Sequence, residues 1–81
     1  MYIVRCNDNT LYTGITTDTD RRVKEHNQSP RGASYTRARR PVKLVFSEAA
    51  ADRAEASRSE WKIKQLGRKD KETLINRSAN T

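Results

Sequence analysis

The sequence predicts an α+β fold in which a small three-stranded antiparallel sheet is flanked by helices, in the order β-β-α-β-α-α. Three observations predict this class. Short segments rich in β-forming residues stand at 2–4, 11–13 and 42–46. A helix-capping pattern follows the second of these segments, and two polar segments with helical spacing close the chain. Strands and helices in this order are typical of an α+β domain.

The first two strands are predicted to form a hairpin around the turn cluster Asn7–Asn9. A three-residue turn pairs Val4 with Tyr12 and Tyr2 with Gly14, which places the two tyrosines on one face of the hairpin. A two-residue turn would place them on opposite faces. Sequence alone leaves both registers open, but a site that uses both phenols requires the first register or a bulge.

Gly14 ends the second strand, where its missing Cβ permits a close approach of backbone or ligand, or an unusual φ. Thr17 followed three residues later by Asp20 matches a capping box. We therefore expect a helix from about Asp18 to Asn27.

Three breakers, Pro30, Gly32 and Pro41, predict a loop over Ser29–Pro41. The third strand follows at Val42–Phe46.

A long helix is predicted over about Glu48–Leu66, with Ser47 as its N-cap and Gly67 just beyond its end. A short last helix is predicted over about Lys69–Ile75. Residues 1–76 are expected to form a single domain, and residues 77–81 a frayed tail.

Composition predicts a polyanionic partner, because the chain carries a net charge of +7 in 81 residues. Nucleic acid is the natural polyanion, and a charge that only aids solubility is the alternative. The single Cys6 allows no internal disulfide, which fits a reducing compartment. No apolar run approaches the roughly 20 residues that cross a membrane, and no signal-peptide pattern or small-molecule cofactor motif is found. A cytoplasmic location is expected.

The first 26 residues hold side chains suited to phosphodiester hydrolysis: Tyr2, Tyr12, Arg22 and His26. Arg22 and His26 are four apart and share a helical face. A guanidinium can grip a phosphate in bidentate fashion, and an imidazole can relay a proton or hold a phosphate oxygen. A phenol, with a pKa of about 10, needs a nearby cation or metal to deprotonate water. The alternative to a catalytic role is that Tyr2 and Tyr12 are core residues and that His26 is an ordinary polar residue near a helix end.

Glu60 is the carboxylate that stands out, because Ala49, Ala56, Glu60 and Ile63 form one stripe of the predicted long helix. A carboxylate in such a stripe should be partly buried and needs a cation or donors. Mg²⁺ held by one carboxylate, waters and substrate phosphate would satisfy it. A salt bridge to Arg22 or an exposed side chain are the alternatives.

The basic loop predicts a phosphate-binding patch with one stacking platform. Its candidate nucleic-acid-binding residues are Arg31, Tyr35, Arg37, Arg39 and Arg40. A solvated loop without a partner is the alternative.

These residues resemble the GIY-YIG nuclease domain, and most closely its small single-domain bacterial members. Tyr2-Ile3-Val4 stands where the first motif's tyrosine is expected, and Tyr12-Thr13-Gly14 is the second motif. The positions of the family's helix arginine, of the following histidine or tyrosine, and of its metal-binding glutamate fall on Arg22, His26 and Glu60. The chain departs from the pattern where many members carry an asparagine, since that place holds Glu72.

The resemblance implies metal-dependent hydrolysis of DNA phosphodiesters by in-line attack of water. Tyr2 or Tyr12 would act as general base or orient the water, Arg22 and His26 would steady the phosphate, and Glu60 would hold one Mg²⁺ or Mn²⁺. The expected function is a structure-tolerant or weakly sequence-specific DNA endonuclease, with branched and single-stranded DNA among its substrates and RNA left open. A nucleic-acid-binding protein with little or no cleavage is the alternative.

Overall fold

The computed structural model describes residues 1–28 and 34–79, and it confirms the predicted fold class. A three-stranded antiparallel sheet in the order β2-β1-β3 is packed by helices. The elements are β1 (Tyr2–Arg5), β2 (Leu11–Gly14), α1 (Thr19–Gln28), α2 (Ser34–Arg37), β3 (Lys43–Ser47), α3 (Arg53–Lys64) and α4 (Arg68–Ala79). Within the described ranges, no helix combines the length and the apolar character that crossing a bilayer requires.

Strand β1 is the centre of the fold because it is paired on both sides and covered on both faces. Tyr2, Ile3 and Val4 are each at most 1% exposed. Successive side chains of a strand point to opposite faces. Ile3 therefore enters one core cluster, whereas Tyr2 and Val4 enter the other.

The two clusters lie on opposite faces of the sheet. On one face α3 and α4 contribute Ile63 and Ile75, which pack with Ile3 and Phe46. On the other face α1 contributes Val23 to the cluster built around Tyr2, Val4, Cys6 and Val42. The sheet is thus a middle layer between two pairs of elements.

Of the two hairpin registers that the sequence leaves open, the structure has the one with the three-residue turn. Tyr2 pairs with Gly14 and Val4 with Tyr12, so both tyrosines lie on the α1 face. In the turn, Asn9 has a φ of 69°, which asparagine tolerates better than most residues. The carboxylate of Asp8 accepts hydrogen bonds from the backbone N–H and the hydroxyl of Thr10.

The predicted loop 29–41 is wrong in one respect, because it contains the short helix α2. Residues 29–33 lie outside the described part of the chain. The third strand is shifted by one residue from the prediction, and Ser47 is its last residue rather than a helix cap.

Helix α1 begins one residue later than predicted because Asp18, and not Thr17, caps it. The backbone N–H of Arg21 donates to Asp18 Oδ1 at 3.1 Å, as an N-cap carboxylate does. The helix therefore starts at Thr19.

Helix α3 begins at Arg53, five residues later than predicted. The backbone N–H of Glu55 donates to Asp52 Oδ1 at 2.8 Å, so Asp52 is the N-cap. Residues 49–51 are exposed alanines, which have no side-chain oxygen to satisfy a helix N-terminus. Alanine propensity alone did not extend the helix back to Glu48.

Helix α4 runs further than predicted, to Ala79. Three of the five residues expected as a frayed tail are therefore helical, and residues 80 and 81 lie outside the described part.

An ion-pair network ties α4 to the hairpin. Arg5 forms a two-point bond to Glu72, with Nη1–Oε2 at 2.8 Å and Nη2–Oε1 at 2.5 Å. Arg68 Nη2 donates to the same carboxylate at 3.2 Å and also to the carbonyl of Asn9. The Arg5 guanidinium is the main cause that lowers the pKa of Glu72 from 4.5 to about 2. Glu72, at the place where the family pattern has asparagine, is a structural clamp.

We expect Glu72→Gln to lower the free energy of unfolding by about 1 kcal/mol at neutral pH, because the two-point ion pair is lost. The folded pKa lies below the unfolded one. The contribution is therefore fully present above about pH 4.5 and is lost as pH falls toward 2. Urea unfolding of wild type and variant across this range measures it. Glu48→Gln, a change at an exposed glutamate outside the network, is the control. A wild-type advantage that does not shrink on acidification would contradict the assignment.

Candidate active site

Tyr2 reaches the edge of the sheet by lying across Gly14. A Cβ built on Gly14 would stand 2.6 Å from the Tyr2 hydroxyl and 2.8 Å from Cζ. Real Cβ atoms do not come this close to other atoms, so only glycine fits here. A close approach at Gly14 is present as predicted, but a side chain, the Tyr2 phenol, makes it rather than the backbone or ligand of the prediction. Gly14 does not have a positive φ.

The Tyr2 hydroxyl is the first member of a buried hydrogen-bonded chain. It lies 2.7 Å from His26 Nε2, and His26 Nδ1 lies 2.8 Å from the hydroxyl of Thr36. Tyr2 is 1% exposed, and His26 and Thr36 are fully buried. Both ring nitrogens of His26 are thus engaged by Tyr2 and Thr36, and neither is placed to hold a phosphate oxygen in this arrangement, which contradicts one of the two predicted roles of His26. Its other predicted role, proton relay, is compatible with the chain.

His26 is a neutral imidazole at neutral pH. Burial lowers its pKa below 6.5, and the charges of Arg22 and Arg40 lower it further, against a smaller opposing effect of Glu25. A neutral ring has one nitrogen that donates and one that accepts. Arg22 also hydrogen-bonds the Tyr2 hydroxyl and can only donate. This favours a Tyr2 proton that points at Nε2.

Burial also raises the pKa of Tyr2, and it is the largest of several causes. The Arg22 guanidinium acts in the opposite direction through its hydrogen bond and its charge. Tyr12 and Glu60 add smaller increases. The resting state of Tyr2 is therefore the phenol, and Arg22 is the group that offsets the cost of forming a phenolate.

Tyr12 flanks the imidazole from the side. Its ring meets His26 edge-on, with centroids 5.3 Å apart, and it stacks on Tyr35 with centroids 5.9 Å apart. The Arg39 guanidinium lies 4.0 Å from the centroid of Tyr35. This column of rings leads from buried His26 to the 38% exposed Tyr35 at the surface.

Arg22 lies on α1, one helical turn before His26, as the spacing predicted. Its side chain is half-buried and pairs with Glu25 Oε1 at 3.3 Å. Arg22, which the sequence predicts to grip a phosphate, thus lies next to the Tyr2 hydroxyl.

Glu60 lies on α3, on the other side of the sheet from α1. Ala49 precedes α3, so the predicted stripe reduces to Ala56, Glu60 and the buried Ile63. The Glu60 side chain is 26% exposed and pairs with Lys64 Nζ at 3.7 Å. The predicted partial burial is confirmed.

The β2 edge is where the two faces of the sheet meet. Helix α3 packs against β2, and the absent side chain of Gly14 leaves the Tyr2 phenol at that edge. The charge of Glu60 reaches far enough to raise the pKa of Tyr2. Tyr2, Tyr12, Arg22 and His26 are thus brought together by contact, and Glu60 acts on this cluster electrostatically.

Glu60 could contribute to a divalent cation site as a single carboxylate ligand. Within residues 1–28 and 34–79, no group of three or more His, Cys, Asp or Glu side chains is placed to hold a metal. A single carboxylate oxygen completed by waters and substrate phosphate is the usual Mg²⁺ arrangement in phosphoryl-transfer sites. A half-buried carboxylate with one long ion pair suits that arrangement.

The predicted nucleic-acid-binding residues differ in whether their side chains already form bonds within the fold. Arg37 is exposed. Arg39 pairs with Asp8 Oδ2 at 2.9 Å and donates to the Tyr35 carbonyl. Arg40 donates to carbonyls at the end of α1, including that of His26, and so holds the helix C-terminus. Arg31 lies outside the described residues.

Thr36 is the site residue that sequence reasoning missed. It comes from α2, within a stretch predicted as loop, and a threonine in a basic loop carries no pattern that marks it as buried. Its neighbour Tyr35, which stacks on Tyr12, was singled out only as a nucleic-acid contact.

The sequence model described as the GIY-YIG catalytic domain matches residues 1–74. This chain belongs to the GIY-YIG family. The resemblance found from the tyrosine motifs is thereby confirmed. Membership in this family makes nucleic acid the class of substrate.

Proteins named UPF0213 share much of the sequence with this chain. A UPF0213 protein of Desulfotalea psychrophila is 58% identical over 78 residues, covering 96% of this chain and 71% of the relative. A UPF0213 protein of Streptococcus agalactiae is 51% identical over 80 residues, covering 99% and 90%. The solution NMR structure of a UPF0213 protein from Bacillus halodurans is 48% identical, covers 93% of this chain and 79% of that one, and superposes with a TM-score of 0.59.

We expect Gly14→Ala to destabilise the fold by about 2 kcal/mol, because the added methyl group overlaps the Tyr2 phenol. Gly67→Ala is the matched control, since a Cβ there meets no atom within 4 Å. Urea unfolding of both variants measures the difference. Equal stability of the two variants would contradict the assigned role of Gly14.

We expect Thr36→Val to leave the imidazole Nδ1 buried without its partner, at a cost of about 1–3 kcal/mol, whereas Thr36→Ser should keep the bond. His26 is the chain's one histidine, so ¹⁵N NMR of its ring reports the tautomer unambiguously. One predominant tautomer is expected in wild type and in Thr36→Ser, and a changed ring spectrum in Thr36→Val. An identical spectrum and stability in all three proteins would show that the Thr36 contact does not hold the ring.

Proposed function

We propose that the protein is an endonuclease that hydrolyses DNA phosphodiesters with the help of Mg²⁺ or Mn²⁺. One observation carries this proposal. The Tyr2 hydroxyl is bonded at once to a cation, Arg22, and to a buried neutral base, His26. A core tyrosine would need only one partner for its hydroxyl, and a pair of this kind is suited to moving a proton.

Tyr2 is supported as the general base over Tyr12 by its hydrogen bonds. Burial raises the pKa of the phenol, so it can take a proton from the attacking water only if its own proton leaves in the same step. His26 Nε2, at 2.7 Å, is in place to receive that proton. One O–H bond of the water breaks as a new O–H bond forms on Tyr2, and the original Tyr2 O–H bond breaks as an N–H bond forms on His26 Nε2. The water oxygen can then attack phosphorus. His26 thus acts through Tyr2.

Thr36 and Arg22 support this step from two sides. The Thr36 hydroxyl fixes the orientation of the ring through Nδ1. Arg22 stabilises negative charge, first as it grows on the Tyr2 oxygen and then on the phosphate oxygens, where a guanidinium can bind two at once.

Glu60 is proposed to hold the metal ion, with waters and a substrate phosphate as the remaining ligands. A bound divalent cation would neutralise charge that develops at phosphorus. Glu60 lies on the opposite side of the β2 edge from α1. The phosphodiester would therefore sit at this edge, between Arg22 and Glu60.

The proposal extends to the substrates of the protein and to its location in the cell. The net charge of +7 favours binding through phosphates, which suits a structure-tolerant or weakly sequence-specific enzyme. Branched and single-stranded DNA are candidate substrates, and RNA is a further one. A cytoplasmic location agrees with a single, buried cysteine, Cys6.

A nucleic-acid-binding protein without cleavage is the second candidate. It is favoured by the small number of metal ligands, since the described residues offer no cluster beyond the carboxylate of Glu60 itself.

We expect Glu60→Gln to lower metal-dependent cleavage by about 100-fold or more, because the amide keeps the shape of the side chain but cannot replace the charge that a hard cation requires. Binding of DNA in the presence of a chelator should hold or rise, since a negative charge leaves the phosphate site. Cleavage of branched, nicked and duplex DNA with Mg²⁺ or Mn²⁺ measures the first effect.

Glu55→Gln is the matched control, because it makes the same change at an exposed position of α3 and should leave cleavage unaltered. Equal cleavage by wild type and Glu60→Gln would remove Glu60 from the site. If the wild-type protein cleaves none of these substrates, the second candidate, nucleic-acid binding without cleavage, would be supported instead.

A further inference from the structure

Trp61 has no role in the site described so far, yet it lies next to it. It is the one tryptophan of the chain and follows Glu60 directly. Its side chain is 65% exposed, the largest exposure among the large hydrophobic residues that the structure describes. Tryptophan is enriched at interfaces, because its ring is apolar and its N–H is polar.

The position of Trp61 on α3 places it in a stripe that borders Glu60. Arg53, Ser57, Trp61 and Lys64 are spaced by four, four and three residues, and all four side chains are exposed. Residues at this spacing follow one line along a helix. We call this line the α3 stripe.

Glu60 forms the inner edge of the α3 stripe. It precedes Lys64 by four residues, and its Oε1 lies 3.7 Å from Lys64 Nζ. The next turn inward carries the buried Ile63. A ligand that is bound at Glu60 and extends toward solvent would therefore contact Lys64 and the indole.

The charge of the α3 stripe selects the ligand. Its two charged members, Arg53 and Lys64, are both cationic, and they are eleven residues apart. At 1.5 Å per residue this spans about 16 Å, or about five stacked nucleotides of one strand. Cations on either side of a flat aromatic surface match a chain of phosphates that carries flat bases.

A protein partner would need a different surface. The large exposed hydrophobics among residues 1–28 and 34–79 are Tyr35, Trp61 and Leu66, and Leu66 is only 36% exposed. Around Trp61 the exposed neighbours on α3 include Arg58 and Lys62. The cores of protein interfaces are depleted of lysine, although not of arginine.

We propose that Trp61 is a base-stacking subsite for a single-stranded segment of DNA. The strand runs along the α3 stripe away from the cleaved phosphate, one unpaired base stacks on the indole, and Lys64 and Arg53 neutralise phosphates beside it. This rests on the proposed function, because Glu60 is the residue taken to mark the position of the cleaved bond. A base inside a duplex is covered on both faces, so the preferred substrate carries unpaired bases next to the cleavage site.

Intrinsic fluorescence tests the subsite without catalysis, because all tryptophan emission comes from Trp61. The protein is titrated with a short oligo-dT strand in a chelating buffer of low salt. Saturable quenching of most of the emission is expected. The same strand with abasic sugars, and a duplex with the same number of phosphates, should quench far less.

Affinity measurements on variants complete this test. Trp61→Ala should weaken binding of oligo-dT by about tenfold, and Trp61→Phe by less, since a phenyl ring still stacks. Leu66→Ala is the control, because Leu66 is an exposed apolar side chain that lies beyond the end of α3 and outside the α3 stripe. This change should leave the affinity unchanged. Emission that stays constant at saturating oligo-dT would overturn the proposal. So would emission that shifts with protein concentration alone, because a second copy would then cover the indole.

Cleavage measured in parallel separates this proposal from the nuclease function. If the wild-type protein cuts flapped DNA and Trp61→Ala cuts it equally well, the subsite is wrong and the nuclease function stands. If no DNA is cut but oligo-dT quenches Trp61 as described, the subsite stands and the nuclease function fails.

Discussion

The buried hydrogen bond between the Tyr2 hydroxyl and His26 Nε2 is the interaction on which the site depends. A phenol and an imidazole withdrawn from water are costly unless each polar atom is paired. Each is paired here, because Thr36 and Arg22 supply the remaining bonds. In a low-dielectric interior such a chain is rigid. The same burial keeps the imidazole neutral and the phenol protonated, and these are the states from which one proton can move.

Gly14 connects this interior chain to the outside. The phenol lies where any larger residue would have its Cβ, so a single missing methyl group decides whether the hydroxyl reaches the β2 edge. Near that edge the Arg22 side chain of α1 acts on the Tyr2 hydroxyl from one face of the sheet, and α3 packs against β2 from the other. Stability also comes from the two core clusters, one of which includes Tyr2 itself, and from the clamp between Arg5 and Glu72. Glu72 thus ties α4 to the hairpin through its ion pairs with Arg5 and Arg68.

The positive charge of the chain is not equally available to a ligand. Arg39 pairs with Asp8, and Arg40 holds the end of α1. Both were expected in the phosphate-binding patch, and both are used at least partly by the fold itself. The exposed cations Arg53 and Lys64 of α3 lie on either side of an exposed indole, and Lys64 has a longer ion pair, 3.7 Å, to Glu60. A count of basic residues predicts the kind of partner, but the surface on which the partner lies depends on which cations the fold uses internally.

The sequence alone determined the fold class and the shared helical face of Arg22 and His26, and it reduced the hairpin to two registers, one of which puts Tyr2 and Tyr12 on one face. These follow from contacts between residues near in the chain or opposite across one turn, which local patterns encode. Tertiary structure decided the burial of His26, the role of Thr36 and the late start of α3 at Asp52. Burial depends on what packs over a residue from distant elements, and capping depends on which side chain reaches the free N–H groups. Neither is written in the spacing of residues.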